Sequence, residues 1–346
     1  MYVHCSDNIF FRRMVLPAVF LVTVLVVFTA NNVNSARLLT SYPCPKECSC
    51  YLRNSNKIIV DVVCNVEVIN SQTKLSIIQT NITSNLYITC NSTSPSSLPN
   101  NLFLGLSTFT GILIRGCLFR YIPRDGLAGL NALQEVAIEN ADNLQIHDEA
   151  FNHSPYLRRI SVVNSGLQKI AKICKLPILQ FLNLTANRLR TFQDAGVECQ
   201  DNRQLTYLQH LILDNNYIQQ IDASFGTHTP NLWQIGLSSN VIDIIQPGAF
   251  ESVLHLGWLD LSNNSVSKLP ENMLLNNTNM KLLALGNNPL NSLPRDLLRF
   301  TVSLQVLGLG NTNINSGVWQ ELKTLVNLTE LQLGKNNLNR IDKDIL

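Results

Sequence analysis

Apolar residues return along this chain in a fixed order, Leu-x-x-Leu-x-Leu-x-x-Asn-x-Leu-x-x-Leu. Leu208, Leu211, Leu213, Asn216, Ile218 and Ile221 make one copy, and Leu232, Ile235, Leu237, Asn240, Ile242 and Ile245 make the next. Further copies begin at Leu256, Met280, Leu304 and Leu328, so the starts from 208 to 328 are each 24 residues apart. Upstream the starts fall near Phe109, Leu133, Leu157 and Leu179, with a poor one near Thr83. The step from 179 to 208 is 29 residues and carries an insertion around Cys199–Gln204. Equal steps with matched apolar positions identify a repeat array of about eleven units rather than one compact domain.

The physics of each unit follows from its spacing. Leu-x-Leu has period 2, so both leucines leave one face of a short strand and the residue between them leaves the other. One strand cannot bury its apolar side alone, so neighbouring units stack and share a core. The strands then form a parallel sheet along the inner wall of an arc. The recurrent Asn carries two donors and an acceptor for backbone groups where each strand turns away. The outer segments read as loops and short turns, such as Pro247-Gly248-Ala249-Phe250, with Phe151, Phe225 and Phe250 as outer core residues.

Composition agrees with this reading. Of 346 residues, 55 are Leu and 41 are Asn, which the core and the Asn ladder explain. Charged residues are 14% of the chain and the net charge is +2. There is no basic excess or basic cluster of the kind a nucleic-acid binder shows. Arg12 and Arg13 precede an apolar run from Met14 to Ala30, and Ala30 and Ala36 stand as cleavage positions. Residues 1–36 therefore read as a secretory signal. The run is near the lower length of a membrane span, so an uncleaved anchor is the alternative. Sequons occur at Asn81, Asn91, Asn152, Asn183, Asn263, Asn276 and Asn327. With a signal and eight remaining cysteines, they fit an oxidising, glycosylating route. Asn91 falls at a ladder position, which would bury it and argue against a glycan there.

These residues resemble the extracellular leucine-rich repeat proteins, such as animal and insect cell-surface or secreted repeat receptors. The resemblance covers roughly residues 44–346. It implies an α/β solenoid: a horseshoe with a parallel β-sheet on the concave face and loops or short helical turns on the convex face. Cys44-Pro45, Cys48, Cys50 and Cys64 look like that family's N-terminal cap, placed at residues 44–82, with the repeats in 83–346. The resemblance implies pairs Cys44–Cys50 and Cys48–Cys64. The family usually ends in a second cysteine cap, and none follows Cys199. The array therefore reads as truncated, or as covered by a partner. Cys174 and Cys199 lie in outer segments of adjacent repeats and are expected to pair. Cys90 and Cys117 either pair or stand as free core thiols.

No catalytic pattern emerges. His147, His153, His210, His228 and His255 form no His-Glu-x-x-His, and there is no Gly-x-Ser-x-Gly or phosphate-binding glycine loop. The cap spacing Cys44-x-x-x-Cys48-x-Cys50 reads as disulfide rather than zinc. No cofactor, metal or enzymatic role is expected. A binding wall remains, and its candidate ligand contacts are Phe181, His210, Ile212, Trp233 and Trp258. The expected partner is a protein ligand or a second copy of the chain, with no nucleic acid and no small-molecule cofactor. Membrane association would come only through a segment beyond Leu346 or an uncleaved signal. The expected function is a receptor or adhesion ectodomain. A structural matrix scaffold, or a fragment of a larger transmembrane receptor, is the alternative.

Overall fold

The computed structural model describes residues 2–4, 37–38, 48–52, 60–67, 69, 84–91, 96–199 and 203–340. The expectations for most of the signal segment, Cys5, Cys44, Asn81 and the last outer positions, Ile341 and Ile345, lie outside those residues. The chain divides into two compact units, Phe10–Leu176 and Met1–Ile9 with Pro177–Leu346. Each is a β-solenoid.

In the first unit, strands Val60–Val66, Ser84–Cys90, Phe109–Arg115, Glu135–Glu139 and Arg159–Val163 pair in parallel, each with the next. Cys48–Leu52 joins Val60–Val66 antiparallel, and Arg37–Leu38 joins Cys48–Leu52 likewise. Inward residues Leu86, Ile112, Val136 and Ile160 are fully buried. On the opposite face Val63, Tyr87, Leu113 and Ala137 share one apolar row. Polar rows flank it: Asn85 Nδ2 donates to Asp61 Oδ1 at 3.1 Å, and Arg115 is ion-paired with Glu139 at 2.7 Å.

The second unit uses shorter strands: Phe181–Asn183, His210–Ile212, Gln234–Gly236, Trp258–Asp260, Leu282–Ala284, Val306–Gly308 and Glu330–Gln332. All pair in parallel without a register shift. Tyr2–His4 pairs in parallel with Glu330–Gln332. Leu182, Leu211, Ile235, Leu259, Leu283, Leu307 and Leu331 point inward and are fully buried. Each such side chain contributes about 1.5–3 kcal/mol by leaving water. Behind them Phe192, Phe225 and Phe250 stack, with centroids 4.4 and 5.8 Å apart. The outer side of this unit is mostly turns, with one short helix at Val318–Leu322.

The Asn ladder explains why the strands are so short. Nδ2 of Asn240 donates to the carbonyls of Leu213, Leu237 and Ser238, at 3.0, 3.1 and 3.3 Å. Its Oδ1 accepts from the Ile218 N–H at 3.0 Å. One side chain thus closes its own turn and ties it to the preceding repeat. Asn216, Asn264, Asn288 and Asn336 repeat the pattern. Where Thr312 replaces Asn, its hydroxyl still donates to the Leu309 carbonyl at 2.8 Å. A second asparagine series lies just before this ladder. Asn263, Asn287 and Asn311 adopt left-handed backbone, which Asn tolerates better than most residues. Asn287 donates to Asn263 at 2.8 Å and Asn311 to Asn287 at 2.9 Å.

The cysteines settle partly. Cys48 is bonded to Cys64, and Cys90 to Cys117. The free-thiol reading of Cys90 and Cys117 is therefore set aside. Cys50, Cys174 and Cys199 are also disulfide-bonded. The burial expected of Asn91 does not hold, because Asn91 is exposed. The strand before it runs seven residues through Cys90, so no turn tucks Asn91 inward, and Cys117 is held by the Cys90 sulfur instead.

Candidate binding face

Strand register sorts the outward residues of the second unit into rows. Phe181, His210, Gln234, Trp258, Leu282, Val306 and Glu330 make one row. Asn183, Ile212, Gly236, Asp260, Ala284, Gly308 and Gln332 make the next. Trp233 belongs to neither: it stands one residue ahead of its strand, level with Gly257. The repeat step agrees: Trp233 follows Leu232 by one residue and Trp258 follows Leu256 by two, so Gly257 is the counterpart of Trp233.

Rings are brought together at one end of this face. The Phe181 and His210 rings lie 5.9 Å apart, and His210 meets Trp233 edge-on at 5.7 Å. His210 Nδ1 is 3.0 Å from Gln234 Oε1, which fixes the imidazole between the aromatic neighbours. The Trp233 indole lies over Gly257. A Cβ there would stand 2.5 Å from the indole Nε1 and 3.0 Å from Cε2. Gly257 is thus the space that lets Trp233 lie flat. His210, Trp233 and Trp258 remain partly exposed, whereas Phe181 and Ile212 are buried. A pocket of about 390 Å³ opens at the strand entries, lined by Gln209, His210, Asn231, Trp233 and His255. Gln209, Asn231, Gln234, His255 and Gly257 were not singled out by the sequence. The Gly257-Trp258 step beside Trp233 was the one signal available.

Charge is sparse here. Asp214 accepts the Ser238 N–H at 2.7 Å, and its carboxyl crowds the bare backbone of Gly236. Burial pushes the Asp214 carboxyl up to about 6, and nearby Asp260 adds to this, while the Ser238 hydrogen bonds pull the other way. Among the described residues no group of three or more His, Cys, Asp or Glu could hold a metal ion. No helix among them is long and apolar enough to cross a membrane.

The sequons divide by place. Asn152, Asn263, Asn276 and Asn327 are exposed. Asn183 is buried on the strand face, where its Oδ1 accepts from both the N–H and Oγ1 of Thr185, at 3.0 and 2.7 Å.

Stacked parallel strands, inward leucines and a buried Asn ladder define the class of fold, a leucine-rich repeat solenoid. The leucine-rich repeat family model matches residues 206–266. The chain is similar to mouse Podocan, 26% identical over 194 residues, covering 54% of this chain and 30% of Podocan. It is similar to zebrafish Keratocan, 33% identical over 88 residues, covering 25% of this chain and 24% of Keratocan. The chain thus spans less than a third of either relative's length. Among solved structures it resembles the Toll–Spatzle complex from Drosophila, with TM-score 0.63 and 19% identity over 92% of this chain and 50% of that one. It also resembles a TLR13–ssRNA13 complex, with TM-score 0.63 and 23% identity over 74% of this chain and 36% of that one. At such identities the structural likenesses establish the fold.

Proposed function

We propose that this chain is a secreted or cell-surface, non-enzymatic recognition ectodomain that binds a protein through the strand face of its second unit. The observation that carries this reading is the seated cluster of Phe181, His210 and Trp233 beside an open pocket. Tryptophan on a preformed wall supplies large contact area at small entropic cost, the usual chemistry of protein hot spots. The rigid, in-register strands fit recognition with little backbone movement. The low charge of the face favours an uncharged or weakly charged protein patch over a nucleic-acid backbone. Secretion is supported by the signal-like N-terminus and by the disulfides.

The test is capture of cell-surface and secreted proteins by the purified chain, compared with Trp233→Ala/Trp258→Ala. The double variant is expected to lose about tenfold or more in affinity for a captured protein, about 1.4 kcal/mol. Unchanged affinity with intact folding would overturn the assignment of this face. A matrix scaffold with dispersed contacts would show small losses spread over many positions instead.

A further inference from the structure

One flank of the second unit carries an apolar row that the strand face does not use. Leu254, Val302 and Val326 hold the same repeat position, two residues ahead of Leu256, Leu304 and Leu328. They are 53%, 48% and 82% exposed, and Val326 is the most exposed large apolar side chain described. Thr278 fills the remaining place, 24 residues from Leu254 and from Val302. Leu275 and Phe300, in the turns leading into the row, are exposed as well. Exposed apolar side chains recurring at one repeat position favour association unless something covers them.

The sequence supplies the cover at the same place. Asn276-Asn277-Thr278 and Asn327-Leu328-Thr329 are glycosylation sequons. The first includes the Thr of the row, and the second begins directly after Val326. Both acceptor asparagines are exposed. Asn277 is fully buried, and its Nδ2 donates to the Val253 carbonyl at 2.8 Å. That anchor turns the neighbouring Asn276 outward and stacks its turn on the one bearing Leu254. Asn327 Nδ2 donates to the Val302 carbonyl at 2.8 Å. One amide hydrogen makes that bond and the other is free for substitution.

We infer that Asn276 and Asn327 carry N-linked glycans that lie over this row and keep the flank from associating. In the transfer, the side-chain amide nitrogen bonds to the anomeric carbon of a lipid-pyrophosphate-linked oligosaccharide. The carbon–oxygen bond to pyrophosphate breaks, the lipid pyrophosphate leaves with the electron pair, and the amide gives up one proton. The hydrated sugar then presents hydroxyls where the protein presents Leu254, Val302 and Val326.

The experiment uses the full chain secreted from glycosylating cells. Enzymatic release of N-glycans in ¹⁸O water converts each occupied Asn to labelled Asp, read by peptide mass spectrometry. Label at both Asn276 and Asn327 is expected, and absence of label at either overturns the inference. Release from the folded protein is then followed by sedimentation and by binding of an apolar dye. Dye binding is expected to rise about twofold or more, with larger species appearing. Val302→Ser/Val326→Ser in the stripped protein should abolish the rise. Stripped protein that stays monomeric and dye-free would show that the glycans do not shield this row. A second protein found on the stripped or native row would assign the flank to a partner and overturn the shielding role.

Discussion

The indole of Trp233 rests on Gly257, with Nε1 2.5 Å from where a Cβ on that glycine would stand. Any side chain there must push the ring off its seat, because the contact is with an aromatic plane also held edge-on by His210. Gly257→Ala is expected to destabilise the fold by about 1–3 kcal/mol, as overpacking does, and to shift tryptophan emission to the red. The measurement is urea unfolding followed by fluorescence. In a Trp233→Ala background the same Gly257→Ala change should be close to neutral, since the two are coupled.

The buried Asn ladder admits an isosteric test. Asn240→Asp keeps the acceptor for the Ile218 N–H but aims a carboxylate at the carbonyls of Leu213, Leu237 and Ser238. A loss of roughly 2–4 kcal/mol at neutral pH is expected from the buried, mismatched charge. Chemical denaturation reads it directly. Asn287→Asp, on the exposed series, should change stability by less than about 1 kcal/mol.

The disulfide between Cys90 and Cys117 closes a stretch with sequence separation 27. Replacing both cysteines by Ala should remove about 3 kcal/mol from the first unit, chiefly by freeing the unfolded chain. Thermal unfolding under non-reducing conditions checks this. An unchanged transition would mean that neighbouring strand pairing alone holds the two repeats.

Asp214 gives a pH dependence of definite sign. Its pKa is raised from an ordinary 3.8 to about 6 in the fold. The neutral acid therefore suits the folded state better than the carboxylate. This stabilising contribution is complete below the unfolded value and is lost as pH rises through about 6. The unfolding free energy should fall by an amount of order 1 kcal/mol between about pH 4 and pH 6, and the melting temperature with it, given that water reaches the half-buried group. Asp214→Asn should flatten that slope, since its amide oxygen can still accept the Ser238 N–H. A slope unchanged in the variant would assign the dependence elsewhere.

Much of the fold was legible because the 24-residue step repeats one strand and one turn. Leu211, Ile235, Leu259, Leu283, Leu307 and Leu331 all fall where the spacing places them, fully buried. Side-chain placements were not legible. The 24-residue step sets Gly257 level with Trp233 and Trp258 one position later, yet only the structure shows the Trp233 indole lying over that glycine. Asn91 reads as a ladder residue, but the long strand through Cys90 leaves it exposed. The exposed series at Asn263, Asn287 and Asn311 was hidden for a similar reason. Asn-Asn pairs show composition, not which member takes the left-handed turn.

Hydrogen–deuterium exchange of the chain, free and bound to a protein it captures, tests the proposed face most directly. Added protection is expected in 209–212, 233–236 and 257–260, where Trp233, His210 and Trp258 stand. Protection confined to the outer turns, such as 246–254 and 270–279, with those strands unchanged, would contradict recognition through the strand face.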